Sequence, residues 1–170
     1  MLKHFEIGNY TNFSDVSGMV CELRNYYEQL DNQDIRVITE IKEFKKWIQA
    51  LAQSFGFSDD VCDIYFNKLL KYIGDNKIFI PLAAYDRDKI IATDSIIFAN
   101  NIAGFYNGST LLEYRSRGIS SSLYKSRFNI LREIGVDKAV IQTSPMANGL
   151  AQKLGFKKYT NYKIYCQIKN

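Results

Sequence analysis

The sequence has a single histidine, His4, and it lies near the N-terminus. A Ser–His–Asp triad therefore has no credible base, and a histidine-built zinc site has no ligand set. The three cysteines, Cys21, Cys62 and Cys166, are far apart and form no CxxC pair, which removes zinc-ribbon and redox-motif readings. Three scattered thiols are expected to be free in a reducing cytoplasm. Pro81 and Pro145 are the only prolines, so there is no proline-rich linker. No run of about 18 apolar residues exists, and no membrane span is expected. Met1–Tyr10 carries Lys3, His4 and Glu6 without an apolar stretch, unlike a secretory signal. No metal is expected.

What is present is ordinary in amount and uneven in placement. The 170 residues suit one sizeable core, and the 46% apolar content is that of a globular protein. Lys and Arg number 22 against 18 Asp and Glu, a net charge of +4. That mild excess permits attraction to a phosphorylated ligand without pointing to nucleic acid.

Residues 1–32 read as an N-terminal lead-in, with a turn at Gly8–Asn12 and a short helix at Val20–Leu30. The main domain is expected over residues 33–170. Ile35–Ile38 reads as a short strand. Thr39 offers a cap for a helix whose apolar face is Ile41, Phe44, Trp47, Ile48, Leu51 and Phe55, ended by Gly56. A second helix starts at Ser58, with Asp59 and Asp60 in its first turn, and stops at Gly74. Three strands follow, Ile78–Tyr85, Ile90–Phe98 and Ile102–Thr110, joined by turns at Asp86–Lys89 and Asn100–Asn101. Pro81 suggests an edge or a bulge. A long helix, Ile119–Ile134, is expected to bury Ile119, Leu123, Ile130, Leu131 and Ile134. Val136–Thr143 is a strand, parallel to the Ile102 strand because a helix intervenes. A short helix, Asn148–Leu154, and a last strand or strand pair, Phe156–Ile168, complete an α/β chain with a sheet of mixed direction.

The segment Glu113–Leu123 is the informative one. It joins a strand to a long helix, and the first N–H groups of a helix lack internal partners at the positive end of its dipole. A turn folded back there is an anion site suited to phosphate or pyrophosphate. Gly118 permits close backbone approach, Ser120, Ser121 and Ser122 add hydroxyls, and Arg115 and Arg117 supply forked charge. Lys125 and Arg127 extend the basic patch in this reading. The Gly-Lys-Ser/Thr ending of a Walker loop and the GxGxxG of a dinucleotide fold are both absent.

Arg115-Ser116-Arg117-Gly118-Ile119-Ser120 resembles the GNAT N-acetyltransferase motif Q/R-x-x-G-x-G/A, with Ser120 in place of a final Gly or Ala. Ala103–Thr110 resembles that family's fourth strand, Gly135–Gln142 its fifth, and Leu154-Gly155-Phe156 its Leu-Gly-Phe signature. The resemblance runs from about Ala92 to Phe156. It implies a GNAT fold: a mixed, mostly antiparallel sheet with a central, splayed parallel pair, flanked by helices. The lead-in resembles that of the C-terminal domain of two-domain members. It further implies acetyl-CoA as cosubstrate, with its pantetheine along Gly108, Ser109 and Thr110. The pyrophosphate would sit at Arg115, Ser116, Arg117, Gly118, Ile119, Ser120 and Ser121, and the arm would touch Asn148. The acceptor, a primary amine of a small molecule or peptide, would attack the thioester directly.

Many members carry a general-acid tyrosine four residues before the Gly of Leu-Gly-Phe; that position here is Ala151. Tyr106, Tyr114, Tyr159 and Tyr162 are substitutes to weigh against ordinary core or rim tyrosines. Asp94, Glu113 and Glu40 are carboxylates near the expected cleft, each with a solvated surface role as the simpler reading. Asn107 stands where some relatives carry an acid. The alternative to an active enzyme is a non-catalytic CoA-binding module, a sensor or assembly component. A third reading is a polyanion-binding face built from Arg115, Arg117, Lys125, Arg127 and Arg132, although such stripes are usually solvated. A homodimer would cover faces left bare by a stand-alone domain.

Overall fold

The computed structural model describes residues 10–23, 32–75 and 78–167. The chain is α/β and divides into two compact units, residues 22–139 and residues 1–21 with 140–170.

The larger unit is built on four strands in the order β2-β3-β4-β5, all antiparallel: β2 (Asp34–Val37), β3 (Phe79–Asp86), β4 (Lys89–Ala99) and β5 (Ile102–Thr110). Nearly every residue of β3 and most of β4 is buried, as strands covered on both faces require. Helix α1 (Ile41–Phe55) presents Phe44, Trp47, Ile48 and Leu51 to one face, against Phe79, Ala83, Tyr85 and Ile90. Gly56 ends it in the left-handed conformation at φ 70°, donating its N–H to the Ala52 carbonyl. Its cap is Glu40, one residue after the expected Thr39, and the end positions Ile41 and Phe55 stay exposed. Helix α2 (Asp59–Leu69) runs on into a 3₁₀ turn, Leu70–Tyr72, and lays Cys62, Tyr65, Phe66 and Leu69 half-buried over the same cluster.

The opposite face carries α3 (Ile119–Glu133). Its buried residues are Ile119, Ser122, Leu123, Tyr124, Arg127, Phe128 and Leu131. Phe128 and Tyr124 pack on Phe105 of β5, with ring centroids 5.6 and 6.0 Å away. The expected Ile130 is half-buried and Ile134 exposed, so the true stripe is rotated toward Tyr124 and Phe128. Pro81 is not on an edge strand, since β3 lies between β2 and β4. The last β2 pair is Val37 with Leu82, and the Pro81 carbonyl accepts the Ile38 N–H. The missing proline N–H thus faces the point where β2 ends, an edge in local terms.

The smaller unit holds β1 (Tyr10–Glu22), β7 (Lys157–Gln167), helix α4 (Pro145–Lys153) and most of β6 (Lys138–Thr143), with strand order β6-β1-β7. Here the sequence reading needs correction. Tyr10–Asn12 is not part of a turn and Val20–Glu22 is not helical; both belong to β1, which pairs antiparallel with β7 from Tyr10–Gln167 to Val20–Lys157. Gly8, Asn9 and residues 24–30 lie outside the described residues. Gly18 is closely approached: a side chain there would begin 2.7 Å from the Tyr162 ring and 2.8 Å from the Thr160 methyl, so both would have to shift.

Trp47 is the anchor of the α1 core, fully buried, stacked on Phe44 at 5.6 Å and donating its indole N–H to the Leu82 carbonyl at 2.8 Å. Trp47→Ala is expected to destabilise the fold by about 3–5 kcal/mol, measured by urea unfolding.

Candidate functional site

Strand β5 is interrupted where it approaches the Arg115 turn. Thr93 pairs with Ser109 and Ser95 with Tyr106, so Asn107 and Gly108 together oppose the single residue Asp94. This is a β-bulge, with Asn107 left-handed at φ 58°. Polar side chains hold it open. Thr93 Oγ1 donates to the Asn107 carbonyl at 2.9 Å and lies 2.8 Å from Ser109 Oγ. Ser95 Oγ donates to the Tyr106 carbonyl and receives Asn107 Nδ2, each at 3.0 Å. Carbonyls that the bulge takes from the ladder thus find hydroxyl donors.

After Thr110, the buried Leu111 is fixed by its N–H to the Ile91 carbonyl at 2.9 Å, and a short 3₁₀ turn, Leu112–Tyr114, follows. The turn is strapped to the β3–β4 hairpin: Lys89 pairs with Glu113 at 3.0 Å and Tyr114 donates to Asp86 at 3.1 Å. Ser116 and Gly118 are both left-handed, at φ 62° and 77°. Two such residues within three reverse the chain sharply before α3 begins. No side chain caps α3, and its first internal bond is Ser122 N–H to the Gly118 carbonyl. The N–H groups of Ile119, Ser120 and Ser121 therefore have no helical acceptor. Both arginines are tethered by part of their guanidinium, Arg115 Nε to the Thr110 carbonyl at 3.1 Å and Arg117 Nη2 to the Glu113 carbonyl at 2.8 Å. Both side chains remain exposed. In the larger unit Arg115 thus ties the turn to the end of β5 at Thr110, and the turn presents unpaired helix N–H groups of the kind that can receive an anion.

Asn148 lies on α4 in the smaller unit, where its Oδ1 accepts the Thr143 hydroxyl. Ala151 is fully buried on the same helix.

Two expectations are overturned here. Asp94 has no solvated role: it is 2% exposed and ion-paired with Arg127 at 2.6 Å. Arg127 does not extend the basic patch or a polyanion stripe. It is 1% exposed, held between the Phe105 and Tyr124 rings at 3.9 and 4.2 Å, and its Nε has no hydrogen-bond partner among the described residues. Burial pushes the Asp94 carboxyl up to about 7, against the opposing pull of Arg127 and of the Ser95 N–H. Glu113 is held below the ordinary carboxylate range by its own N–H and by Lys89, which unsuits it to proton abstraction. Glu40 is exposed at the cap of α1. Among the tyrosines, Tyr114 is committed to Asp86, while Tyr106, Tyr159 and Tyr162 are exposed by 39%, 79% and 46%.

The sequence marks each of the two charges as a break in an apolar pattern, and does not show that they pair. Arg127 stands on the apolar stripe Ile119, Leu123, Leu131, and Asp94 interrupts Ile90–Phe98, an otherwise apolar and hydroxyl-bearing strand. A charge on each of two buried surfaces requires a partner.

No protein-family profile matches this sequence, and no curated protein matches it. Solved structures do. A GCN5-related N-acetyltransferase from Sphaerobacter thermophilus matches 96% of the chain with a TM-score of 0.74 at 16% identity, and one from Kribbella flavida matches all of it with 0.73 at 11%. The chain spans 54% and 64% of the lengths of those two. A predicted acetyltransferase from Clostridium acetobutylicum, solved with acetyl-CoA, matches 75% of the chain with 0.65 at 17% identity, over 91% of its own length. The fold is that of the GNAT N-acetyltransferases.

Burial raises the Asp94 carboxyl from 3.8 to about 7, so below neutral pH the folded protein holds a proton there that the unfolded chain has released, and from neutral pH upward the carboxylate faces Arg127. Its contribution to stability is full below the unfolded value and is lost as pH rises through about 7. Asp94→Asn is expected to flatten that part of the stability profile, as read from urea midpoints across the interval.

Proposed function

We propose that this chain binds acetyl-CoA and transfers its acetyl group to a primary amine. The observation that carries this reading is the Arg115–Ser121 turn, where two left-handed residues and an uncapped helix start converge between two tethered arginines. The acetyl-CoA complex of the Clostridium acetobutylicum protein, on the same fold, supports it.

In this reading the pyrophosphate meets the N–H groups of Ile119, Ser120 and Ser121 and the free arms of Arg115 and Arg117. The pantetheine amides lie along Gly108, Ser109 and Thr110 as an added strand would, on the bulged side of β5. Asn148, in the smaller unit, is a cofactor-arm residue by the family resemblance alone, and there its amide oxygen is engaged by Thr143. The neutral amine nitrogen attacks the thioester carbonyl, the tetrahedral oxyanion collapses, and CoA leaves as the thiolate. One proton passes from nitrogen to sulfur or to water. The protein's contribution is to align the two reactants and to steady the oxyanion with fixed dipoles. No metal enters this scheme. Cysteines that form no disulfide among the described residues suit a reducing cytoplasm.

A second reading, a CoA-binding module without catalysis, is favoured by the commitments of the acid–base candidates. Ala151 is buried, Asp94 is sealed with Arg127, and Glu113 is paired with Lys89. The acceptor nature separates the two readings, since only the enzyme releases CoA thiol in the presence of an amine.

Acetyl-CoA at about 100 times its dissociation constant is expected to add roughly 2.7 kcal/mol of stability, read as an upward shift of thermal unfolding. Arg115→Ala with Gly118→Asp is expected to abolish the shift in a protein that still folds. A well-folded parent that does not respond to millimolar acetyl-CoA would refute the coenzyme site. Sedimentation at tens of micromolar is expected to show a homodimer; a monomer alone would remove that partner.

A further inference from the structure

The proposed coenzyme surface has two parts on different elements, the bulge of β5 and the first turn of α3. Beside the packing of Phe105 on Tyr124 and Phe128, a buried ion pair links β4, opposite the bulge, to the middle of α3. Asp94 is the residue that the bulge opposes. Its Oδ1 accepts the Ser95 N–H at 2.8 Å and meets Arg127 Nη1 at 2.6 Å. Its Oδ2 lies 3.6 Å from where a side chain on Gly108 would begin. Arg127 belongs to α3, two turns beyond the phosphate turn, and is gripped by Phe105 of β5 and Tyr124 of α3.

This pair is poorly explained as a source of stability. Well-packed apolar side chains of similar volume do as well or better in a core, and among the described residues Arg127 Nε finds no hydrogen-bond partner. A charged, directional contact does something apolar packing does not: it fixes a distance and an angle between two elements. We propose that Asp94 and Arg127 are positioning residues that set the span between the β5 bulge and the α3 turn, and thereby the fit of the pantetheine arm once the pyrophosphate is seated. This rests on the coenzyme reading. A ligand held at two sites gains its affinity only when their separation matches its own length. Misplacing the bulge relative to α3 therefore costs the arm and spares the phosphates.

The test compares CoA with ADP, which carries the pyrophosphate without the arm, by calorimetric titration of the parent and of Asp94→Asn/Arg127→Met. The double variant removes both charges, so neither is left buried alone. The affinity advantage of CoA over ADP is expected to fall roughly tenfold, within the range for residues coupled through one network, while ADP affinity stays unchanged. An unchanged advantage overturns the proposal. So does an equal loss for both ligands, which marks the pair as fold support only. Should the double variant fail to fold, Arg127→Lys decides. Its ammonium lacks the planar fork stacked between the two rings, and a selective loss for CoA is again expected. Equal loss or none overturns the proposal. A parent that binds neither ligand refutes the coenzyme reading itself, and the positioning role with it.

Discussion

A carboxylate and a guanidinium taken out of water must keep each other, and the centre of the larger unit is arranged around that requirement. Asp94 and Arg127 are both almost fully buried and meet at 2.6 Å. Removing either partner alone would strand a charge in a low-dielectric interior. The contact commits β4 to α3, and it lies at the place where β5 bulges away from β4. Phe105 and Tyr124, one from the strand and one from the helix, close over the guanidinium and exclude water. Core, bulge and helix placement are thus parts of one constraint.

The Arg115–Ser121 turn leads directly into the helix that carries Arg127. Gly118 starts α3 with no side-chain cap, and helix starts without caps leave donors exposed. The approach from Thr110 is fixed by Leu111 in the core and by Lys89 and Tyr114, which reach across to the β3–β4 hairpin. Arg115 and Arg117 each spend one hydrogen bond on a local carbonyl, which restrains the guanidinium while leaving it in solvent. Restrained donors lose less freedom when an anion arrives. The bulge is stiffened in a parallel manner by Thr93, Ser95, Asn107 and Ser109.

The chemistry proposed for this surface asks little of side chains. A thioester has a good leaving group and an amine needs no activation beyond losing its proton, so alignment supplies much of what a catalyst must provide. That is why a chain whose nearby carboxylates are ion-paired and whose Ala151 carries no proton can still be read as a transferase. It is also why the same features suit a binding module. The two readings differ in what happens after coenzyme binds, and share the turn proposed to bind it.

Local pattern was enough for α1, α2, β5 and the left-handed helix stops Gly56, Gly74 and Gly135, because apolar period and glycine conformation are properties of short segments. The Arg115–Ser121 turn was legible as a reversal into a helix for the same reason: its left-handed Gly118 and helix start lie in consecutive residues. Strand β1 was not. Its first half, Tyr10–Asp15, is mostly exposed and has no apolar alternation, and it becomes a strand by pairing with β7, more than a hundred residues away. The cap of α1 moved by one residue, and its end positions stayed in solvent, because packing rather than period decides which part of a stripe is covered. The bulge at Asn107–Gly108 arises from two strands held out of step, which neither strand encodes alone. Asp94 and Arg127 make the point most directly. As single residues each reads as a surface charge, since burying one unpaired charge is prohibitive, and only the tertiary structure brings the second charge that makes burial of the first tolerable.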